Sequence, residues 1–140
     1  MEFNQLIPEF DVFNLEETLH FYVDLLGFKI EYDRKEERFV YLSFEKVQIM
    51  VQEIVAGNNK WETGKLEYPL GRGINFEIDV EDITPIYNKL REENYEIFFD
   101  IEEHWYRKDN VLLGNKEFLV KDPNGYLLRF SEELPEKAIL

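Results

Sequence analysis

The sequence contains no cysteine. Disulfides, thiol nucleophiles and cysteine metal sites are therefore excluded. Histidine is almost as scarce: His20 and His104 are the whole supply, too few for a multi-histidine metal site within one chain. No apolar run approaches the ~18 residues a membrane-spanning helix needs. The opening Met1-Glu-Phe-Asn-Gln has no basic stretch followed by an apolar core, so a signal peptide is not expected and a cytoplasmic location is. There is no Gly-x-Ser-x-Gly elbow for a nucleophile. There is no phosphate-cradling glycine loop either, since Gly71-Arg-Gly is short and precedes a strand. Positive charge is the last shortage. Lys plus Arg number 16 against 30 Asp plus Glu, a net charge of −14. Such a charge repels phosphate backbones and anionic lipid heads, so nucleic acid and membrane surfaces are not expected as partners. It favours a cationic small molecule.

The composition is otherwise that of a folding chain. At 140 residues, 44% hydrophobic and 16% aromatic, residues 1–140 suit one domain with a real core. Ile7 to Phe13 reads as a strand. Asn14 is placed to cap a helix, with Glu17 three residues on as in a capping box. Leu15, Leu19, Tyr22 and Leu26 make one helix face, and Gly27 ends it. Phe28 to Asp33 alternates, with Phe28, Ile30 and Tyr32 on one side. A charged turn, Arg34 to Arg38, leads to strands at Phe39 to Phe44 and Val47 to Glu53, joined at Glu45-Lys46. Residues 54–72 read as a connecting loop, marked by Ala56-Gly-Asn-Asn, Gly64 and Gly71 and carrying Trp61, Tyr68 and Pro69.

The order then repeats. Gly73 to Val80 alternates as a strand. Thr84-Pro85 opens a second helix with Ile83, Ile86 or Tyr87, and Leu90 on its apolar face. Asn94 ends it. Tyr95 to Asp100, Glu117 to Lys121 and Tyr126 to Ser131 read as strands, with the turn Asp122-Pro-Asn-Gly before the last. Glu132 to Leu140 reads as a tail. The expected fold is α+β: two βαβββ modules, 4–53 and 73–134, forming curved mixed sheets around a cleft.

Three groups of residues carry a resemblance. They are the doubled unit with Phe21-Tyr22 and Leu26-Gly27-Phe28, the Asp122-Pro-Asn-Gly-Tyr turn, and the stretches Gly71-Arg-Gly-Ile-Asn-Phe, Trp105-Tyr-Arg and Phe118-Leu-Val-Lys. Together they resemble the glyoxalase/bleomycin resistance/extradiol dioxygenase (vicinal oxygen chelate) superfamily, and within it the bleomycin-resistance branch. The resemblance implies a glyoxalase/bleomycin resistance-like fold over roughly Leu6 to Glu133. It implies a homodimer, possibly exchanging its N-terminal strand. For the branch it implies non-catalytic sequestration of a cationic, partly aromatic glycopeptide antibiotic in clefts of the dimer. Offset stacking on rings and attraction to carboxylates suit such a ligand.

The resemblance also places the superfamily's metal-holding positions on Ile7, on Ile49 or Met50, near Asn75 and on Arg129. None is a histidine or a carboxylate, so no metal and no cofactor are expected. Glu9, Glu77 and His104 remain as a displaced set for the alternative reading, a divalent-metal-dependent glyoxalase or dioxygenase. A regulatory module that uses the cleft for another purpose is a third reading. The expected ligand-binding residues are Tyr32, Phe39, Tyr41, Met50, Trp61, Trp105, Tyr106 and Arg107. Tyr32 and Phe39 fall at or near the branch's stacking positions, and its third ring position, before a glycine, is here Leu113. Trp105 and Tyr106 read as rings of a charged loop just upstream. Arg129 reads as an ion-pair partner, with Glu77 as its acceptor.

Overall fold

A computed structural model of the chain describes residues 1–56 and 60–139. The Gly57-Asn-Asn part of the connecting loop and Leu140 lie outside the described residues. The chain divides into two compact units, Met1–Leu70 and Gly71–Leu140, each with one four-stranded sheet.

In the first unit, β1 (Glu9–Val12) leads into a helix, α1 (Leu15–Leu19), which continues with π geometry over His20–Leu25. The Asn14 side chain accepts from the Glu17 amide at 2.9 Å, as the capping motif predicts. Glu53, at the end of a later strand, accepts from the Leu15 amide at 2.9 Å and so caps the same helix from the sheet. The π turn changes the buried face. Leu15 and Thr18 are followed by the adjacent pairs Phe21-Tyr22 and Leu25-Leu26, all buried. A wider turn brings two neighbours at a time onto the sheet, which a strict 3.6-residue period does not foresee. Gly27 ends the helix at φ 88°.

The other strands are β2 (Lys29–Arg34), β3 (Phe39–Phe44) and β4 (Val47–Glu53), in sheet order β1-β4-β3-β2 with β1 and β4 parallel. A short 3-10 turn, Lys35–Glu37, and left-handed Arg38 join β2 to β3. Phe10, Val12, Val40, Leu42, Ile49 and Val51 are buried on alternate positions and share one face. The predicted alternation of β2 is corrected here. Ile30 pairs with Leu42 and Tyr32 with Tyr41, so a bulge at Glu31 intervenes and puts Ile30 and Tyr32 on opposite faces.

The second unit repeats the plan. β5 (Asn75–Asp79), α2 (Thr84–Glu92), β6 (Phe99–Lys108), β7 (Val111–Lys121) and β8 (Leu127–Ala138) form a sheet of order β5-β8-β7-β6, again with its first and last strands parallel. Ile83, Ile86 and Leu90 of the helix are buried, as are Ile78, Phe118, Val120, Leu128 and Phe130 of the sheet. The Tyr87 and Phe118 rings meet edge to face, 5.4 Å between centroids. Ile83 is the capping residue and Thr84 the first helical one, so the expected Thr84 cap moves by one. Glu132 of β8 accepts from the Ile83 amide at 3.1 Å, the counterpart of Glu53 in the first unit. Left-handed Asn94 closes the helix, as expected. In the Asp122-Pro-Asn-Gly turn, Asp122 Oδ1 accepts from the amides of Asn124 and Tyr126 at 2.8 and 3.0 Å, and Gly125 supplies φ 103°.

Two expectations for this unit are corrected. Tyr95 to Asp100 is mostly not a strand: β6 starts at Phe99 and runs to Lys108, so Trp105 and Tyr106 lie on a strand, not in a loop. The supposed tail, Glu132 to Ala138, is the second half of β8 and pairs with β7.

Candidate functional site

Each sheet buries one face against its own helix. The other face is where ligand-contacting side chains can stand, because the pleat sends every second residue there.

In the first unit that face carries four of the expected residues together. Phe39 and Tyr41 are two apart on β3, Tyr32 pairs with Tyr41, and Met50 of β4 pairs with Tyr41 from the other side. The Tyr32 and Tyr41 rings are stacked at 5.2 Å between centroids, and Tyr32 and Phe39 are 6.1 Å apart. The Arg34 guanidinium sits 4.0 Å over the Phe39 ring. Phe3 meets Tyr41 edge on at 5.4 Å. Gln48 holds the same N-terminal segment: its Oε1 accepts from the Asn4 amide and its Nε2 donates to the Glu2 carbonyl, at 2.8 and 2.7 Å. Gln48 Oε1 also accepts from the Tyr41 hydroxyl at 2.7 Å. Phe39 and Tyr41 are consequently buried, whereas Tyr32 is 39% exposed and is the ring a ligand can reach. Burial, with the charge of Glu31 and the Tyr32 hydroxyl, raises the Tyr41 hydroxyl's pKa above the usual phenol range.

In the second unit the free face is polar. A pocket of about 500 Å³ opens on it, lined by Glu77 and Asp79 of β5, Arg129, Ser131, Glu133 and Leu134 of β8, Leu113, Gly114 and Asn115 of β7, and Tyr106 of β6. Its floor is a hydrogen-bonded network centred on Glu117, which is 5% exposed. Arg129 donates through Nε to Asn75 Oδ1 at 2.8 Å and through Nη1 to Glu117 at 3.4 Å. Asn115 Nδ2 donates to Ser131 Oγ at 2.8 Å and to Glu117 at 3.3 Å. His104 Nε2 lies 3.5 Å from Glu117 and 3.3 Å from Glu102, and its ring stacks beside Tyr106. The acceptor of Arg129 is thus Glu117, not the expected Glu77.

That leaves three carboxylates of the pocket uncommitted. Glu77, Asp79 and Glu133 are exposed and have neither an ion pair nor a side-chain hydrogen bond among the described residues. They stand on the β5 and β8 side, while Leu113 and Tyr106 supply an apolar and aromatic side on β7 and β6. Such an arrangement can hold a cation at one end of a molecule and a flat or aliphatic group at the other.

The remaining expected residues are elsewhere. Tyr106 and Trp105 are neighbours on a strand and point to opposite faces. Tyr106 lines the pocket, and Trp105 packs over Gly114 from the other side, with Lys137 Nζ 3.8 Å from its ring. Arg107, two residues from Trp105, shares that side. Trp61 belongs to the first unit and is 63% exposed under Lys60 Nζ, 4.6 Å from the ring. Asp79, Glu133, Asn115, Ser131 and Leu134 were not among the residues expected from sequence. The alternation Asn75, Glu77, Asp79 on one strand was the available signal: three polar residues on one face of a strand whose other face is apolar.

At the positions where the resemblance places metal ligands, this chain carries different chemistry. Asn75 and Arg129 are spent on each other, and a guanidinium cannot ligate a cation. Met50 offers a thioether, too soft for a hard divalent ion. Among the described residues no group of three or more His, Asp or Glu side chains is placed to hold a metal ion. These residues do not fit a divalent metal centre. No helix among the described residues is long and apolar enough to cross a membrane.

Comparison with known proteins agrees with this fold. The sequence profile of the Glyoxalase/Bleomycin resistance protein/Dioxygenase superfamily matches residues 10–130. A glyoxalase/bleomycin resistance protein/dioxygenase superfamily member from Vibrio splendidus 12B01 is 35% identical, over 91% of this chain and 97% of that one, with a TM-score of 0.42. A glyoxalase/bleomycin resistance protein/dioxygenase from Alicyclobacillus acidocaldarius is 19% identical over 94% and 92%, TM-score 0.64. TioX from Micromonospora sp. ML1 is 16% identical over 94% and 99%, TM-score 0.69, a likeness of fold. No curated protein matches the chain in sequence. The profile match, which spans most of the chain, makes it a member of the glyoxalase/bleomycin resistance protein/dioxygenase superfamily.

Proposed function

We propose that this protein is a binding protein that sequesters a cationic, partly aromatic small molecule without converting it. A bleomycin-type glycopeptide antibiotic is the first ligand to test. The observation that carries the reading is the pocket of the second unit, with uncommitted Glu77, Asp79 and Glu133 on one side and Tyr106 and Leu113 on the other. A carboxylate with no internal partner keeps its full attraction for an incoming cation, and the net charge of −14 adds a favourable long-range field. Tyr32 gives the first unit an exposed ring on a stacked base for flat groups. A cytoplasmic, dimeric protein fits this role.

Calorimetric titration with metal-free and copper-loaded bleomycin tests the reading, with element analysis of the same preparation. Micromolar or tighter binding, weakened by salt and without turnover, is the expected result. No heat and no thermal shift with either form of the drug would refute the antibiotic assignment. Stoichiometric metal retained through purification would refute the non-catalytic one.

A further inference from the structure

The polar floor of the second unit's pocket is not fully paired. A guanidinium has five N–H donors. Arg129 gives Nε to Asn75 and one donor of Nη1 to Glu117, so its Nη2 has no partner among the described residues, although the residue lines the pocket. Its side chain is 30% exposed. Asn115 carries the complementary gap. Its Nδ2 donates to Ser131 Oγ and to Glu117. A carboxylate oxygen only accepts, which fixes the amide with Oδ1 turned the other way. That Oδ1 is buried and has no hydrogen-bond partner among the described residues. A buried acceptor left unpaired costs free energy, and a donor brought by a ligand removes the cost. The floor therefore lacks an acceptor for Arg129 and a donor for Asn115. The missing acceptor is a neutral one. Glu77 pairs with Arg129 in the sheet register, Asp79 pairs with Ser131 and Glu133 with Asn115, so a ligand carboxylate at Arg129 would meet these acids and Glu117. An amide supplies both parts without charge.

We propose that the ligand of this pocket presents an α-amino amide, the chemistry of a peptide's amino-terminal residue or of an amino acid amide. Its ammonium stands among Glu77, Asp79 and Glu133. Its carbonyl accepts from Arg129 Nη2, its amide N–H donates to Asn115 Oδ1, and its side chain meets Tyr106 and Leu113. The register sets these parts side by side. Glu77 and Arg129 are cross-strand neighbours, as an ammonium and a carbonyl on adjacent carbons require. The Tyr106 ring stacks beside His104, the register partner of Asn115, so the aromatic wall begins next to the place of the amide. The inference rests on the reading that the pocket takes a cation, and it adds a recognition element that charge alone does not supply. A site whose polar groups are paired only by the correct ligand rejects analogues that lack the pairing group. It does not rest on the antibiotic assignment.

Three probes with one ring test it: tyrosinamide, tyramine, which lacks the amide, and tyrosine, which has a carboxylate in its place. Titration calorimetry at about pH 6 keeps the ammonium of each protonated. Tyrosinamide is expected to bind at least about fivefold more tightly than tyramine, the scale of one or two neutral hydrogen bonds. Tyrosine is expected to bind most weakly, because its carboxylate meets the acids of the pocket. Arg129→Met is expected to bring tyrosinamide and tyramine within about twofold of each other. Arg129→Lys keeps the charge without the fork and is expected to leave a smaller advantage than wild type. Circular dichroism checks that the variants fold, and Arg129→Lys carries the test if Arg129→Met does not. The readout is the ratio of two affinities within one variant, which a general loosening of the pocket does not move. Tyramine bound as tightly as tyrosinamide overturns the proposal; if that binding weakens in molar salt, the cationic reading still stands. Tyrosine bound best also overturns it, as does an amide advantage that survives Arg129→Met. No binding of any probe overturns it too, and the bleomycin titration then decides the cationic reading separately.

Discussion

Gly114→Ala is the sharpest test of how the pocket wall is built. Glycine in a strand interior usually costs stability, and alanine there is ordinarily better by roughly 0.5–1 kcal/mol. The structure reverses that sign. A Cβ on Gly114 would stand 2.4, 2.5 and 2.6 Å from three carbons of the Trp105 ring. These are far inside contact distance, and Lys137 crowds the ring from another direction at 3.8 Å. The indole must lift off the sheet, and forcing a carbon into a packed site costs about 1–3 kcal/mol. Subtracting the backbone gain leaves a net loss of roughly 0.5–2 kcal/mol, which in a domain of this size lowers Tm by about 2–6 °C. The assay is calorimetric or dichroic melting, with Trp105 fluorescence in a Trp61→Phe background reporting the displaced ring. Trp105→Leu/Gly114→Ala should recover part of the loss, because the clashing partner is gone and the two effects are coupled. An unchanged or higher Tm for Gly114→Ala, with unshifted emission, would refute the reasoning.

Two further outcomes follow from charged side chains. Arg38 binds Glu16 and Glu53, and its hydrogen bonds hold both carboxyls below the usual carboxylate range, helped at Glu53 by the Leu15 amide. Carboxyls with depressed values stabilise the fold above their unfolded pKa, about 4.5, and lose that contribution as pH falls through the lower folded values. Arg38→Ala should therefore lower the urea midpoint at pH 7, with the gap to wild type closing between pH 4.5 and the acid limit; a gap independent of pH would contradict this. In the pocket, Asp79→Asn/Glu133→Gln should weaken binding of a cationic ligand roughly fivefold or more, an effect that shrinks in molar salt. Equal affinity in titration calorimetry would remove the acidic wall from the binding account.

The strands bounded by charged turns were legible in the sequence, because short apolar runs between turn signals read as strands. Phe39 to Phe44 and Val47 to Glu53 appear in the structure with those bounds. The caps and turns were legible too, since Asn14, Gly27, Asn94 and Asp122 act through their own backbone geometry. β6 was hidden for the opposite reason. As an edge strand it is exposed along most of its length, so Asp100, Glu102, Glu103, Arg107 and Lys108 break any alternation. The second half of β8 was hidden by its acids and by Pro135, which falls where the β7–β8 register shifts between Leu112 and Gly114, a position where a missing amide hydrogen is tolerated. Tyr32, Phe39, Tyr41 and Met50 do fall together on one face, although the bulge that aims Tyr32 has no sequence signature. The acidic pocket was only half seen. Its walls come from four strands, and their register, not any local motif, brings the residues together.

The two copies of one topology also carry two different surface chemistries. On the helix side both sheets keep the same chemistry, with Val40, Leu42 and Val51 in one and Phe118, Leu128 and Phe130 in the other. On the far side they have diverged completely, into stacked rings in one half and carboxylates around a guanidinium in the other. Alternation is what permits this. Every second residue is held by packing against the helix, and the residues between are set by a different set of neighbours. A chain built from two such sheets is a pair of interchangeable panels, each of which can be rewritten for a new molecule while the frame behind it stays as it is.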